Sequence, residues 1–162
     1  MGGNNRCVPD RLDFKGVQPM KVSPHFDLME FVPQGIWDQY GPKSLWFVDM
    51  RLIEGAEWLR GYFNAAIIIN NWHTGGPFQN RGFRHPDSTV GGKLSQHKAG
   101  RAIDFNVVGI KPQKVWSMLV DDWQTVAQHT FFTTIEDIDD TPSWVHIDGR
   151  SNKSNEPLIV KP

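Results

Sequence analysis

Two short, well-separated segments constrain this chain most: Ser95-Gln96-His97-Lys98-Ala99-Gly100-Arg101-Ala102-Ile103-Asp104 and Trp144-Val145-His146-Ile147-Asp148. Together they offer two imidazoles and a carboxylate, a ligand set suited to one zinc ion whose fourth position stays open for water. A fold that uses them must bring both segments to one place. His97 and Asp104 are seven positions apart, and in an unbroken strand that spacing points their side chains to opposite faces. Gly100 supplies a way out, because a bend there lets His97 leave a loop and return over the strand that carries Asp104. His146 then comes from a neighbouring strand, on rigid elements that hold the coordination geometry. From residue types alone the plainer reading stays open, since a histidine in a strand is commonly a hydrogen-bonded core residue.

The 162 residues fit one domain with a sizeable core. Seven Trp and ten Phe supply core mass and can also line a groove for an extended ligand. The formal net charge is −1 without a long block of like charge, which disfavours nucleic acid or an anionic membrane as the main partner. Cys7 is the single cysteine, so neither an intrachain disulfide nor a cysteine zinc cluster is expected. No secretory leader is expected in Met1–Arg6, which lacks an apolar run, and no segment reads as membrane-spanning. Gly2 starts a myristoylation pattern that fails at Arg6. A substrate outside the cell therefore requires another delivery route, such as phage lysis.

The pattern predicts an α+β fold in which a small antiparallel sheet carries the metal site and helices flank it. Residues 1–23 read as an N-terminal arm, 24–150 as the domain, and 151–162 as a polar, loosely held tail. Phe26–Phe31 reads as a helical turn stopped by Pro33. Leu45, Val48, Leu52, Ala56, Leu59 and Phe63 follow three- and four-residue steps, predicting one helix over 43–63 with Gly61 and Asn64 as stop signals. The Ile-rich run 65–70 predicts a buried strand, and the Gly-, Asn- and Pro-rich stretch 71–94 a long functional loop. Strands are expected over 101–108, 130–135 and 143–148, the last two forming an antiparallel hairpin, and a second helix from Lys111 to about Trp123.

Ser95-x-His97-x-x-Gly100-x-Ala102-x-Asp104 followed by Trp144-x-His146-x-Asp148 resembles the zinc D-alanyl-D-alanine peptidases. These act on peptidoglycan stem peptides and include carboxypeptidases, phage endolysins and murein endopeptidases; hedgehog signalling domains share the metal scaffold. The opening segment Pro24–Phe31, the long helix, the Ile-rich strand and the Gly91-Gly92 loop fall in the family's order. The resemblance covers most of residues 24–150. It implies a zinc metallopeptidase, monomeric, with His97, Asp104 and His146 as ligands and a peptidoglycan peptide as substrate.

The resemblance also implies a carboxylate that takes a proton from water and passes it to the leaving amine. Family members commonly place it three residues before the last histidine, where this chain has Ser143. Asp148 lies on the strand face of His146 and is the first candidate base, or else a partner that orients a ligand. Glu136, across the hairpin turn, is its rival. Ser95 matches the family's substrate-binding serine. The family's arginine after the Ile-rich strand has Arg84 or Arg81 as its counterpart here, for a substrate carboxylate or developing oxyanion. His73 is a candidate fourth ligand or substrate contact. Trp72, Phe78 and Phe83 either wall the cleft or pin the long loop to the core. Two further readings stand beside the enzyme: a metal-binding relative without activity, favoured by Ser143, and a structural phage component without metal.

Overall fold

A computed structural model describes residues 18–152 and 154–162. The first seventeen positions of the expected arm, with Gly2 and Cys7, lie outside the described residues. Among the described residues, four α-helices accompany a five-stranded sheet: α1 Gln34–Tyr40, α2 Met50–Tyr62, α3 Pro112–Asp121 and α4 Trp123–His129, with β1 Ile67–Ile68, β2 Ala102–Val107, β3 Thr134–Glu136, β4 Val145–Asp148 and β5 Leu158–Val160. The spatial order is β1-β2-β4-β3-β5. All pairings are antiparallel except β3 with β5. The expected α+β class is the observed one.

The sheet sorts its side chains by parity, as a period of two requires. Ile103, Phe105 and Val107 of β2, Ile135 of β3, and Val145 and Ile147 of β4 enter the hydrophobic core. Leu52, Ile53, Ala56 and Leu59 of α2 and Val115 and Leu119 of α3 belong to the same core. Each such fully buried side chain stabilises the fold by about 1.5–3 kcal/mol. The alternate positions Asp104, Glu136, His146 and Asp148 thereby share the other face. Register sets them side by side: Asp104 opposes His146, and Ala102 and Thr134 flank Asp148.

Several elements differ from the sequence expectation. The helix expected over 43–63 is two pieces, a 3-10 helix Gly41–Phe47 and then α2. Val48 and Asp49 are extended between them, and the Asp49 carboxylate accepts the Arg51 N–H as an N-cap. The Asp49 N–H donates to the Gly100 carbonyl at 3.0 Å, so a long-range bond to the metal motif fixes the break. The expected helical turn is there as a 3-10 helix, Leu28–Glu30, which ends before Pro33; Pro33 is also the N-cap of an unexpected α1, with Ile36 and Trp37 buried. The second helix ends at Asp121 and α4 follows at once, burying Trp123 and Val126. The tail is not loosely held: Leu158-Ile159-Val160 supplies β-forming residues that pair parallel to β3. The Ile-rich run contributes only the two paired residues of β1.

The turn before β2 depends on Gly100, which adopts φ +66° at the end of a 3-10 helix, Gln96–Ala99. A Cβ there would lie 2.0 Å from the Phe47 carbonyl oxygen. Both the left-handed backbone and the close approach select glycine. Gly100→Ala is expected to lower stability by at least about 1 kcal/mol, read as a lower urea midpoint at unchanged m-value. An unchanged midpoint would contradict the role given to this turn.

Candidate metal centre

His97, Asp104 and His146 converge, all buried. His97 Nε2 lies 3.2 Å from Asp104 Oδ1 and 3.1 Å from His146 Nδ1, and His146 Nδ1 lies 2.7 Å from Asp104 Oδ1. The far ring nitrogens are engaged elsewhere. His97 Nδ1–H donates to the Gly82 carbonyl at 2.7 Å, and His146 Nε2–H donates to Asp148 Oδ2 at 3.1 Å. A carbonyl and an ionised carboxylate only accept, so each neutral imidazole directs its lone pair inward. Two lone pairs and a carboxylate oxygen this close repel one another unless a metal ion, or a proton on His146 Nδ1, lies among them. Ligands about 2.0–2.2 Å from a tetrahedral ion stand about 3.3–3.6 Å apart; the 3.1 and 3.2 Å separations come close, and the hydrogen-bonded 2.7 Å pair His146–Asp104 would open slightly around an ion. The group can therefore hold a metal ion.

Supporting partners orient the ligands, as metal sites require. Arg84 Nη2 donates to Asp104 Oδ2 at 2.6 Å, and its Nε donates to the Asn80 carbonyl at 2.6 Å. The Arg84 N–H donates to the His97 carbonyl at 3.1 Å, tying the loop to the ligand turn. Asp148 is fully buried and gripped by Arg150, whose Nη2 lies 2.5 Å from Oδ2. Burial favours the protonated carboxyl, but the bonds from His146 and Arg150 outweigh it and hold Asp148 at about 2. Burial likewise acts against ionised Asp104, and the two imidazoles outweigh it, holding that carboxyl well below its ordinary range. Burial keeps His97 neutral by lowering its pKa. For His146, burial is overcome by bonds to Asp104 and Asp148, raising it to about 9.

The ligands open onto a cleft of about 530 Å³, whose walls include Ser95, Glu136, Thr141, Trp144, Arg150 and Lys161. Glu136 projects from β3 with Oε1 3.9 Å from His146 Nδ1. Burial raises its pKa, and its side chain is only 14% exposed. Such a carboxylate has a heightened proton affinity beside the ligands. Asp148 does not line the cleft, because its oxygens are enclosed by His146 and Arg150, whereas Glu136 does. Ser143 is exposed and absent from the cleft wall, and its carbonyl accepts Asn106 Nδ2–H at 2.7 Å.

The other sequence candidates divide. Ser95 lines the cleft and caps the ligand turn without a side-chain capping bond, leaving its hydroxyl available. Arg84 also lines it, but its guanidinium is bound to Asp104 and Asn80. Arg81 is not part of the wall: it donates to Asn106 Oδ1 at 2.5 Å and lies 3.5 Å over the Phe78 ring. His73 is not in the ligand group or the cleft wall; its ring packs on Trp72, and its Nδ1 is buried without a partner. Trp72, Phe78 and Phe83 do not wall the metal cleft. Trp72 Nε1–H bonds the Val32 carbonyl at 2.9 Å and Phe83 stacks on Phe47, so these two pin the loop. Sequence reasoning missed Arg150, although its spacing from Asp148 on a strand end offered the signal of a paired cation.

No protein-family model matches the chain, and no curated protein or solved structure matches it significantly. No helix among the described residues is long and apolar enough to cross a membrane.

His97→Ala and His146→Ala are expected to lose metal retention, measured by elemental analysis after gel filtration, and Asp148→Asn to weaken affinity by about 10–100-fold. Retention of one equivalent by either alanine variant would break the ligand assignment. The metal-free protein also carries a pH signature. His146 rises from its ordinary 6.5 to about 9 on folding, so its contribution to stability is complete below 6.5 and lost as pH rises through 9. A metal must displace that proton. Affinity should climb about tenfold per pH unit toward 9 and then level, as read by chelator competition; a plateau from pH 6.5 upward would contradict this.

Proposed function

We propose that the protein is a zinc metallopeptidase that hydrolyses peptide bonds of peptidoglycan stem peptides, as a D,D-carboxypeptidase or an endopeptidase. One observation carries the reading: a His/Asp/His donor set opens onto the same cleft as Glu136, an otherwise unpaired and largely buried carboxylate. The motif resemblance gives the substrate class. Zinc bound by His97, Asp104 and His146 would supply Lewis acidity toward a carbonyl and toward water.

The side chains of the chain supply the rest. Glu136 takes a proton on its carboxylate and delivers it to the leaving amine nitrogen, and its raised proton affinity suits both halves of that task. It fills the role that Ser143 leaves empty, from the neighbouring strand. Asp148 holds the His146 tautomer and Arg84 holds the Asp104 rotamer, so neither is the base. The Ser95 hydroxyl can hydrogen-bond a peptide backbone.

A second reading rests on Ser143, which is exposed and replaces the usual acidic residue: a relative that binds metal and peptide but does not turn over. The zinc-loaded protein incubated with purified peptidoglycan separates the two. New amino termini are expected from the wild type, and Glu136→Gln should reduce their release by about 10²-fold or more while retaining zinc. No release from metal-loaded wild type would select the second reading, and a full rate in Glu136→Gln would remove Glu136 from the chemistry.

A further inference from the structure

A second depression adjoins the metal cleft. It has a volume of about 350 Å³ and is lined by Tyr40, Trp46, Phe47, Phe83, His85 and Lys98, among others. Trp46 is 84% exposed, an unusual position for the largest side chain. Phe47 stacks on Phe83 with ring centroids 5.1 Å apart, and Tyr40 meets Phe47 edge-on at 5.0 Å. The groove is therefore a fixed aromatic surface with Trp46 standing free beside it.

Its rim is polar and rich in donors. His85 Nδ1 accepts the Asp87 N–H at 3.1 Å, which leaves Nε2–H free to donate. Lys98 gives one hydrogen to the Ser88 carbonyl at 2.9 Å and keeps two. Tyr40 also lines the groove. Of the lining backbone, the Phe83 and Lys98 N–H groups already bond to the Phe31 and Ser95 carbonyls. A peptide strand added by backbone pairing is thus disfavoured. Flat aromatic faces edged by donors match a pyranose ring, which presents C–H groups on its faces and hydroxyl or acetamido oxygens around its edge.

The groove lies next to the metal cleft: Arg84 and His97 line the cleft, and their chain neighbours His85 and Lys98 line the groove. Gly100 packs against Phe47 and binds the two regions together. A molecule that carries a sugar covalently joined to a peptide can therefore occupy both at once.

We propose that the groove around Trp46 is a sugar-binding site that holds the glycan strand of peptidoglycan while its stem peptide enters the metal cleft. The choice of glycan rests on the peptidoglycan reading above; the aromatic platform does not. The test uses the zinc-loaded full chain and glycan strands stripped of their peptides. Wild type is expected to bind them, with a saturable change in tryptophan fluorescence, and Trp46→Ala to bind at least about tenfold more weakly. Trp46→Phe, which keeps a smaller flat face, should fall between. On intact peptidoglycan Trp46→Ala should raise KM and leave kcat unchanged, and on a sugar-free stem peptide both should stay as in wild type.

Absence of glycan binding by wild type, or equal binding by Trp46→Ala, would overturn the assignment. A wild-type dimer that Trp46→Ala dissociates, with no glycan bound, would give the groove to a second copy and also overturn it. Trp46-dependent glycan binding without any release of amino termini would uphold the groove and sink the peptidase reading instead.

Discussion

Everything at the metal centre depends on how two imidazoles are prevented from presenting a hydrogen to each other. Gly82 accepts from the back of one ring and Asp148 from the back of the other. With those bonds made, and once His146 gives up its extra proton, both inner nitrogens carry lone pairs, and Asp104 adds a third donor atom. The remaining polar groups follow from this need. Asp148 accepts most strongly when ionised, and Arg150 helps hold it so; Arg84 binds the second oxygen of Asp104 and fixes its rotamer. A buried cluster of this kind is costly if any member is removed, because its partner is then left charged and unpaired.

The Gly100 turn converts that chemistry into a constraint on the fold. It places His97 over β2, and through the Asp49 N–H it also ends one helical segment and starts another. The same contact brings Phe47, and with it the aromatic groove, against the back of the ligand turn. Cleft and groove are thus two faces of one packed joint, which is why a ligand spanning both is a natural reading of the architecture.

Much of this was legible in the order of residues. The ligand triad, the bend at Gly100 and the strand nature of residues 102–107 and 145–148 follow from residue chemistry and a period of two, because alternation assigns Asp104, His146 and Asp148 to one face without any knowledge of the neighbours. The break at Asp49 was not legible. Leu45 through Phe63 keeps helical spacing, and only a hydrogen bond from a segment far along the chain interrupts it. The tail strand was missed for a related reason: three apolar residues form a strand only where an open edge, here β3, awaits them.

The roles of the carboxylates and arginines belonged wholly to the tertiary structure. From strand parity, Asp148 was the first candidate for the base and Glu136 its rival. Arg150 and His146 enclose the first, whereas the second, though largely buried, faces the cleft. Arg84 reads in the sequence as a free cation, yet its guanidinium is tied to Asp104. Sequence determines which donors and acceptors exist and which side of a strand they take, since covalent geometry is local. Which of them meet, and so which charge is neutralised and which is left to act, is decided by packing between segments remote in the chain.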